Sequence, residues 1–114
     1  MKNQAKRCWV AYTTSDSKER ASLMASSLVE KQLVVCLIIV GPVESVYSWQ
    51  GKVEQTTEWI LMMKCSESQC EELKRALPRL HGYDVPELIM LPIADGHVPY
   101  LDWIAASGKK GVGA

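Results

Sequence analysis

Six side chains of this protein can hold a soft metal ion or act as nucleophiles: the thiols of Cys8, Cys36, Cys65 and Cys70 and the imidazoles of His81 and His97. Their spacing is not that of a zinc finger, because Cys65-x4-Cys70 has no second pair. Cys36 lies in the apolar run VVCLII, where a free cysteine reads first as a small buried hydrophobe. His81 opens the polar turn HGYDVP and is expected to be accessible; neutral imidazole is the commonest metal-ligating side chain. His97 precedes Pro99 at a helix start and reads as an exposed residue of the capping region. No Gly-x-Ser-x-Gly, phosphate-cradling glycine loop or His-Glu-x-x-His occurs, so the common hydrolase and nucleotide chemistries have no visible machinery. The expected class is non-enzymatic.

The elements that must position these groups centre on Leu33 to Lys64 (LVVCLIIVGPVESVYSWQGKVEQTTEWILMMK). Leu33 to Val40 is almost wholly apolar and β-branched, which suits a strand buried on both faces or shielded by a neighbouring subunit. Gly41-Pro42 should bulge or bend it. Val43 to Trp49 resumes the strand with Val43, Ser45, Tyr47 and Trp49 on one face. Gln50-Gly51 is a tight-turn signal, and Lys52 to Lys64 returns. Both arms exceed the usual strand length of roughly 5–6 residues. A ribbon that long overhangs a small domain, and its edges call for pairing with another chain.

Cys8 to Thr14 is strand-like. Asp16 with Glu19 can form a capping box, ahead of an apolar stripe at Ala21, Met24, Ala25 and Leu28; that helix should end near Gln32. Ser66 with Gln69 repeats the start signal before Cys70, Leu73, Leu77 and Leu80, and Pro78 should loosen or stop that helix. Glu87 to Ile93 is a further strand, and Pro99 starts a short third helix. The order predicts an α+β, ferredoxin-like βαββαβ fold plus a C-terminal helix. Its antiparallel sheet has both long helices on one face. The other face is then bare in a monomer, and its apolar strands argue for burial by assembly. Residues 1–7 read as a flexible leader, 8–106 as one domain and 107–114 as a flexible Gly-rich tail.

Lys plus Arg and Asp plus Glu each total 13, and no segment is strongly basic, which disfavours nucleic acid as a partner. Near-zero net charge permits self-association. No secretory h-region and no run of about 20 apolar residues for a membrane span is visible. Cytoplasmic residence and reduced thiols are the expectation.

The blocks LVEKQLVVCLIIV, VESVYSWQGKVE, HGYDVPELIMLPI and YLDWI resemble, in order and spacing, the CutA family of divalent-cation tolerance proteins, from about Val10 to Ile104. The resemblance implies a ferredoxin-like fold and a tight homotrimer in which long strands pair between subunits. It also implies response to metal ions and copper binding, with other divalent cations as further candidates. The copper ligands it carries over are Cys36 and His81; thiolate and imidazole suit copper. A further family cysteine falls at Tyr12, so that ligand is missing. Two departures stand out. The family's His-Pro-Tyr is His81-Gly82-Tyr83 here, which loosens the link, and its Pro-Gly is Gly41-Pro42, which changes the residue able to take positive φ at the bend.

A second constellation is Tyr47, Trp49, Glu58, Lys64, Tyr83 and Glu87. In the implied trimer, hairpin residues of one subunit reach the His81 link of the next, and Trp49, Glu58, Lys64 and Tyr83 become candidate ligand-binding residues of a subunit cleft. The plain alternative is that the aromatics seal the interface and Lys64 pairs with a carboxylate. Trimeric PII-type signalling proteins bind small molecules between subunits, so a PII-like signalling module, or one anchoring an unidentified protein partner, is the second functional reading. An acylphosphatase would share this fold, but it needs an Arg and an Asn on specific loops, and the only Asn is Asn3.

Overall fold

The structure is a computed structural model that describes residues 7–113. Residues 1–6 of the expected leader, and Ala114 of the tail, lie outside the described residues. The elements are β1 (Cys8–Ser15), α1 (Lys18–Glu30), β2 (Cys36–Trp49), β3 (Lys52–Ser66), a 3-10 turn (Glu67–Gln69), α2 (Cys70–Leu80), β4 (Ile89–Pro92) and α3 (Val98–Gly113). The sheet is antiparallel in the order β2-β3-β1-β4, the ferredoxin-like arrangement.

Helix boundaries follow local hydrogen bonding. The N-cap of α1 is Ser17, whose Oγ accepts from Arg20 N–H at 3.1 Å, so the cap sits one residue beyond the expected Asp16. The helix ends with Gln32 at φ 59°. Gln32 N–H bonds Val29 O at 3.0 Å and Leu33 N–H bonds Leu28 O at 2.9 Å. This is the Schellman pattern, with buried Leu28 and Leu33 making its apolar contact. Ahead of α2, Gln69 Oε1 accepts from Ser66 N–H at 2.9 Å, as the Ser-x-x-Gln spacing predicts. The helix runs two residues past Pro78, and His81 N–H still reaches Leu77 O at 3.0 Å.

The apolar stripes of α1 and α2 cover one sheet face. Ala11, Met63 and Cys65 pack with Leu28, Leu73 and Leu77, while Leu61 packs with Ala21 and Met24. Leu28, Leu61, Leu73 and Leu77 are fully buried. Each contributes about 1.5–3 kcal/mol of transfer free energy.

The opposite face is largely open. Ile38, Val40, Ile89 and Leu91 are 50%, 39%, 46% and 49% exposed there. Leu33 to Val40 is therefore not buried on both faces within one chain; Leu33 and Val34 are buried in the core ahead of the strand, which starts at Cys36, and within the strand's apolar run Leu37 and Ile39 pack against the core clusters. The helix α3 crosses one end of this face. It is longer than the expected short helix, and Gly108 within it is buried against Ser66, where a Cβ would run into the serine side chain.

The hairpin arms have 14 and 15 residues, and they stretch the molecule to 48 × 27 × 21 Å. Gln50 and Gly51 have φ 51° and 79°, the two positive values a type I′ turn needs. The register shifts between Val40 and Val43. Gly41 is not in the positive-φ region. A Cβ there would collide with the Trp59 indole, so the glycine is required by close approach rather than by backbone conformation.

Candidate functional site

The bulge decides what the far half of the hairpin presents. Val40 pairs with Ile60, but Val43 pairs with Glu58, so β2 uses three residues where β3 uses two. Side chains alternate along a strand, and one extra residue flips every later one to the other face. Ser45, Tyr47 and Trp49 therefore join Thr56, Glu54 and Glu58 on the open face, instead of the helix-covered one. Thr14, opposite Ile60, faces the same way.

These residues meet the link after α2 in one cleft of about 700 Å³, lined by Thr14, Asp16, Ser45, Tyr47, Trp49, Glu54, Thr56, Glu58, Tyr83, Val85 and Glu87. Tyr83 Oη donates to Glu58 Oε2 at 2.8 Å, and Tyr47 Oη lies 3.0 Å from Thr56 Oγ1. Tyr83 is held above the usual tyrosine range, first by burial, then by its hydrogen bond to Glu58 and the charges of Glu58 and Asp16. Trp49, Glu58 and Tyr83 thus converge, and they do so within one chain. Sequence reasoning missed Asp16, Glu54 and the hydroxyls of Thr14, Ser45 and Thr56. The bulge parity applied to Val43–Trp49 is the signal that could have found Ser45 and its cross-strand partner Thr56.

Lys64 is not part of this cleft. It pairs with Cys36, six residues along β3 from Glu58, roughly 20 Å at the usual strand rise. Its ammonium stands 6.0 Å from the Tyr100 ring centroid. Cys36 Sγ lies 3.9 Å from Tyr100 Oη, so α3 gathers Cys36, Lys64 and Tyr100 at one end of the open face.

His81 is buried at 7% exposure, contrary to the accessible imidazole expected of a polar turn. Its Nε2 lies 2.6 Å from Thr14 O, and its Nδ1 accepts from Tyr83 N–H at 3.2 Å. The tautomer that satisfies both contacts carries its proton on Nε2. The imidazole thus ties the link to β1 and sets the position of Tyr83. Cys36 and the Thr14 anchor of His81 are separated by four residue pairs along the sheet, roughly 13 Å, so the two candidate copper donors do not meet within one chain. Among the described residues no three His, Cys, Asp or Glu side chains converge on a metal position. Gly82 packs against Arg20, whose Nε would stand 2.8 Å from a Cβ.

A family model described as CutA1 divalent ion tolerance protein matches residues 9–107. The chain belongs to the CutA1 divalent ion tolerance family. This CutA1-family chain is 40% identical over 101 residues to Protein CutA 1, chloroplastic, of Oryza sativa, covering 89% of this chain and 57% of that protein. It is 41% identical over 95 residues to the divalent-cation tolerance protein CutA of Thermus thermophilus, covering 83% and 92%. Solved CutA1 structures superpose closely. The rice protein gives TM-score 0.84 at 40% identity, over 89% of this chain and 93% of that one. The Thermus thermophilus protein gives 0.81 at 40%, over 85% and 94%. The chain spans a little over half the length of the plant relatives it matches. Among the described residues no helix is long and apolar enough to cross a membrane.

Proposed function

We propose that this protein works as a non-enzymatic, homotrimeric divalent-cation tolerance protein that binds copper. The observation that carries the cation role is the family match across residues 9–107. Trimer formation is supported by the open apolar face and by the hairpin overhanging the domain, surfaces that a second and third copy would bury. Cys36 supports copper as the partly exposed thiol of that face, with thiolate favouring copper(I). Because Cys36 and His81 stay apart in one chain, a copper ion using both would bridge copies, and His81 would have to release Thr14 O or Tyr83 N–H to take part. Copper titration against a competing chelator tests this. Stoichiometric binding is expected, weakened in Cys36→Ser and in His81→Ala. Affinity unchanged in both variants would remove the site assignment.

The cleft at Trp49, Glu58 and Tyr83 favours a second reading, a PII-like module binding a small ligand. Its aromatic walls and convergent polar groups have the character and size of a small-molecule site.

A further inference from the structure

The cysteine pair that fits no zinc pattern comes together in space. Cys65 is the last residue but one of β3, and its side chain packs with Ala11 and Met63 in the core under α2. It is 0% exposed. Cys70 is the first residue of α2; it packs against the same cluster and stays partly exposed. The 3-10 turn at Glu67–Gln69 folds the chain back so that the two thiols hydrogen-bond to one another. The Cys70 thiol also donates to Ser66 O at 3.6 Å. Both cysteines are free thiols.

This pair stands apart from the face that assembly would cover. Cys65 alternates with Lys64 and Ser66, so it faces the helices and not the open side. Its burial comes from Leu73 and Leu77 of the same chain. Cys8, opposite Ser66, points the other way, and its thiol donates to Leu101 O of α3 at 3.5 Å. Cys36, opposite Lys64, belongs to the open face.

Two adjacent thiols with one accessible side fit a cation that is satisfied by two sulfur ligands. Zinc takes a full tetrahedral set and calcium a cage of oxygens. Among the described residues no third His, Cys, Asp or Glu converges here. Soft thiolates select copper(I), and a monovalent ion of that kind accepts two donors in line. Oxidation is the poorer match. Burial holds both thiols above the usual range, so neither supplies the thiolate that attacks a peroxide or a disulfide. A metal ion displaces the protons instead. The charged groups beside Cys70 are themselves paired, Glu67 with Arg7 at 3.8 Å and Glu71 with Lys74 at 2.8 Å, so an incoming cation meets no net repulsion.

We propose that Cys65 and Cys70 form a two-coordinate site for a soft monovalent cation of the copper(I) type, entering from the Cys70 side. Each thiol gives up its proton as its sulfur takes the ion, so one ion replaces two protons and the complex carries a single negative charge. The site is separate from Cys36 and His81, and it stands whether or not those two bind copper.

Anaerobic titration with copper(I) against a competing chelator tests it, in the full-length Cys36→Ser/His81→Ala double variant. One copper(I) per chain is expected there, with two sulfur neighbours by X-ray absorption. Adding Cys70→Ser should lower the affinity by more than about a hundredfold, the most that removing a mere partner of a ligand usually costs. Cys65→Ala is the matching change at the buried end. Circular dichroism confirms that each variant is folded, and Cys70→Ser, at a partly exposed position, carries the test if Cys65→Ala does not fold. A double variant that binds no copper(I), or that holds it equally tightly after Cys70→Ser, would overturn the site. The unaltered protein is titrated alongside. A further copper(I) bound there and lost in the double variant belongs to Cys36 and His81, so failure of either site shows without the other.

Discussion

Gln32 occupies the left-handed position that ends α1, where glycine is the residue without a Cβ penalty. Its Schellman bonds and the Leu28–Leu33 contact hold it there. Gln32→Gly should therefore stabilise the fold, by about 1 kcal/mol, read as a higher midpoint in chemical denaturation. A lower midpoint would show that the glutamine side chain contributes more than its backbone strain costs. The thiols make a pH prediction. Burial pushes Cys65 up to about 12, with Cys70 beside it adding to the shift, and burial also raises Cys8 and Cys70. The unfolded thiol ionises near 9.0, before the folded one does. The unfolded state therefore loses protons first as pH rises. The native-state advantage is intact below pH 9.0 and is lost between there and about 12. Melting temperature should fall across that window, and Cys65→Ala should flatten the fall. An equally steep fall in the variant would assign it to other groups.

At the scale of elements, the bulge at Gly41-Pro42 does the most for the cleft. Its presence was legible in the sequence, because a proline cannot donate to the ladder. Its consequence was only half legible. The alternation placed Ser45, Tyr47 and Trp49 together, but which face they shared depended on counting residues across the break against β3. Gly41→Ala should destabilise by about 1–3 kcal/mol, since the new Cβ must displace the Trp59 ring. Equilibrium unfolding measures this, and no change would mean that the indole has room to move. The order of strands and helices was legible because the helical stripes and the alternating strands have distinct periods. The extent of α3 was not, because a Gly-rich segment has low helix propensity and the contact of Gly108 with Ser66 is tertiary. The burial of His81 was hidden for a similar reason. A polar turn reads as exposed, and only the fold brings the Thr14 carbonyl to its ring.

At the scale of the whole molecule, the open face makes a demand that one chain does not meet. Ile38, Val40, Ile89 and Leu91 stand about half exposed on a sheet whose other face is closed by two helices, and the hairpin extends beyond the domain. The sequence carried this demand as an apolar β2 run with polar alternation lost, yet it held no record of how copies are arranged, since that depends on surfaces far apart in the chain. Assembly and the proposed copper binding are joined, because Cys36 lies on the face that assembly would cover and His81 lies on a separate part of the same chain. Native mass spectrometry of the full-length protein during copper titration reads both at once. A three-copy species that takes up copper in fixed proportion to its chains is the expected result. A monomer, or a trimer that passes through the titration without retaining copper, would contradict it.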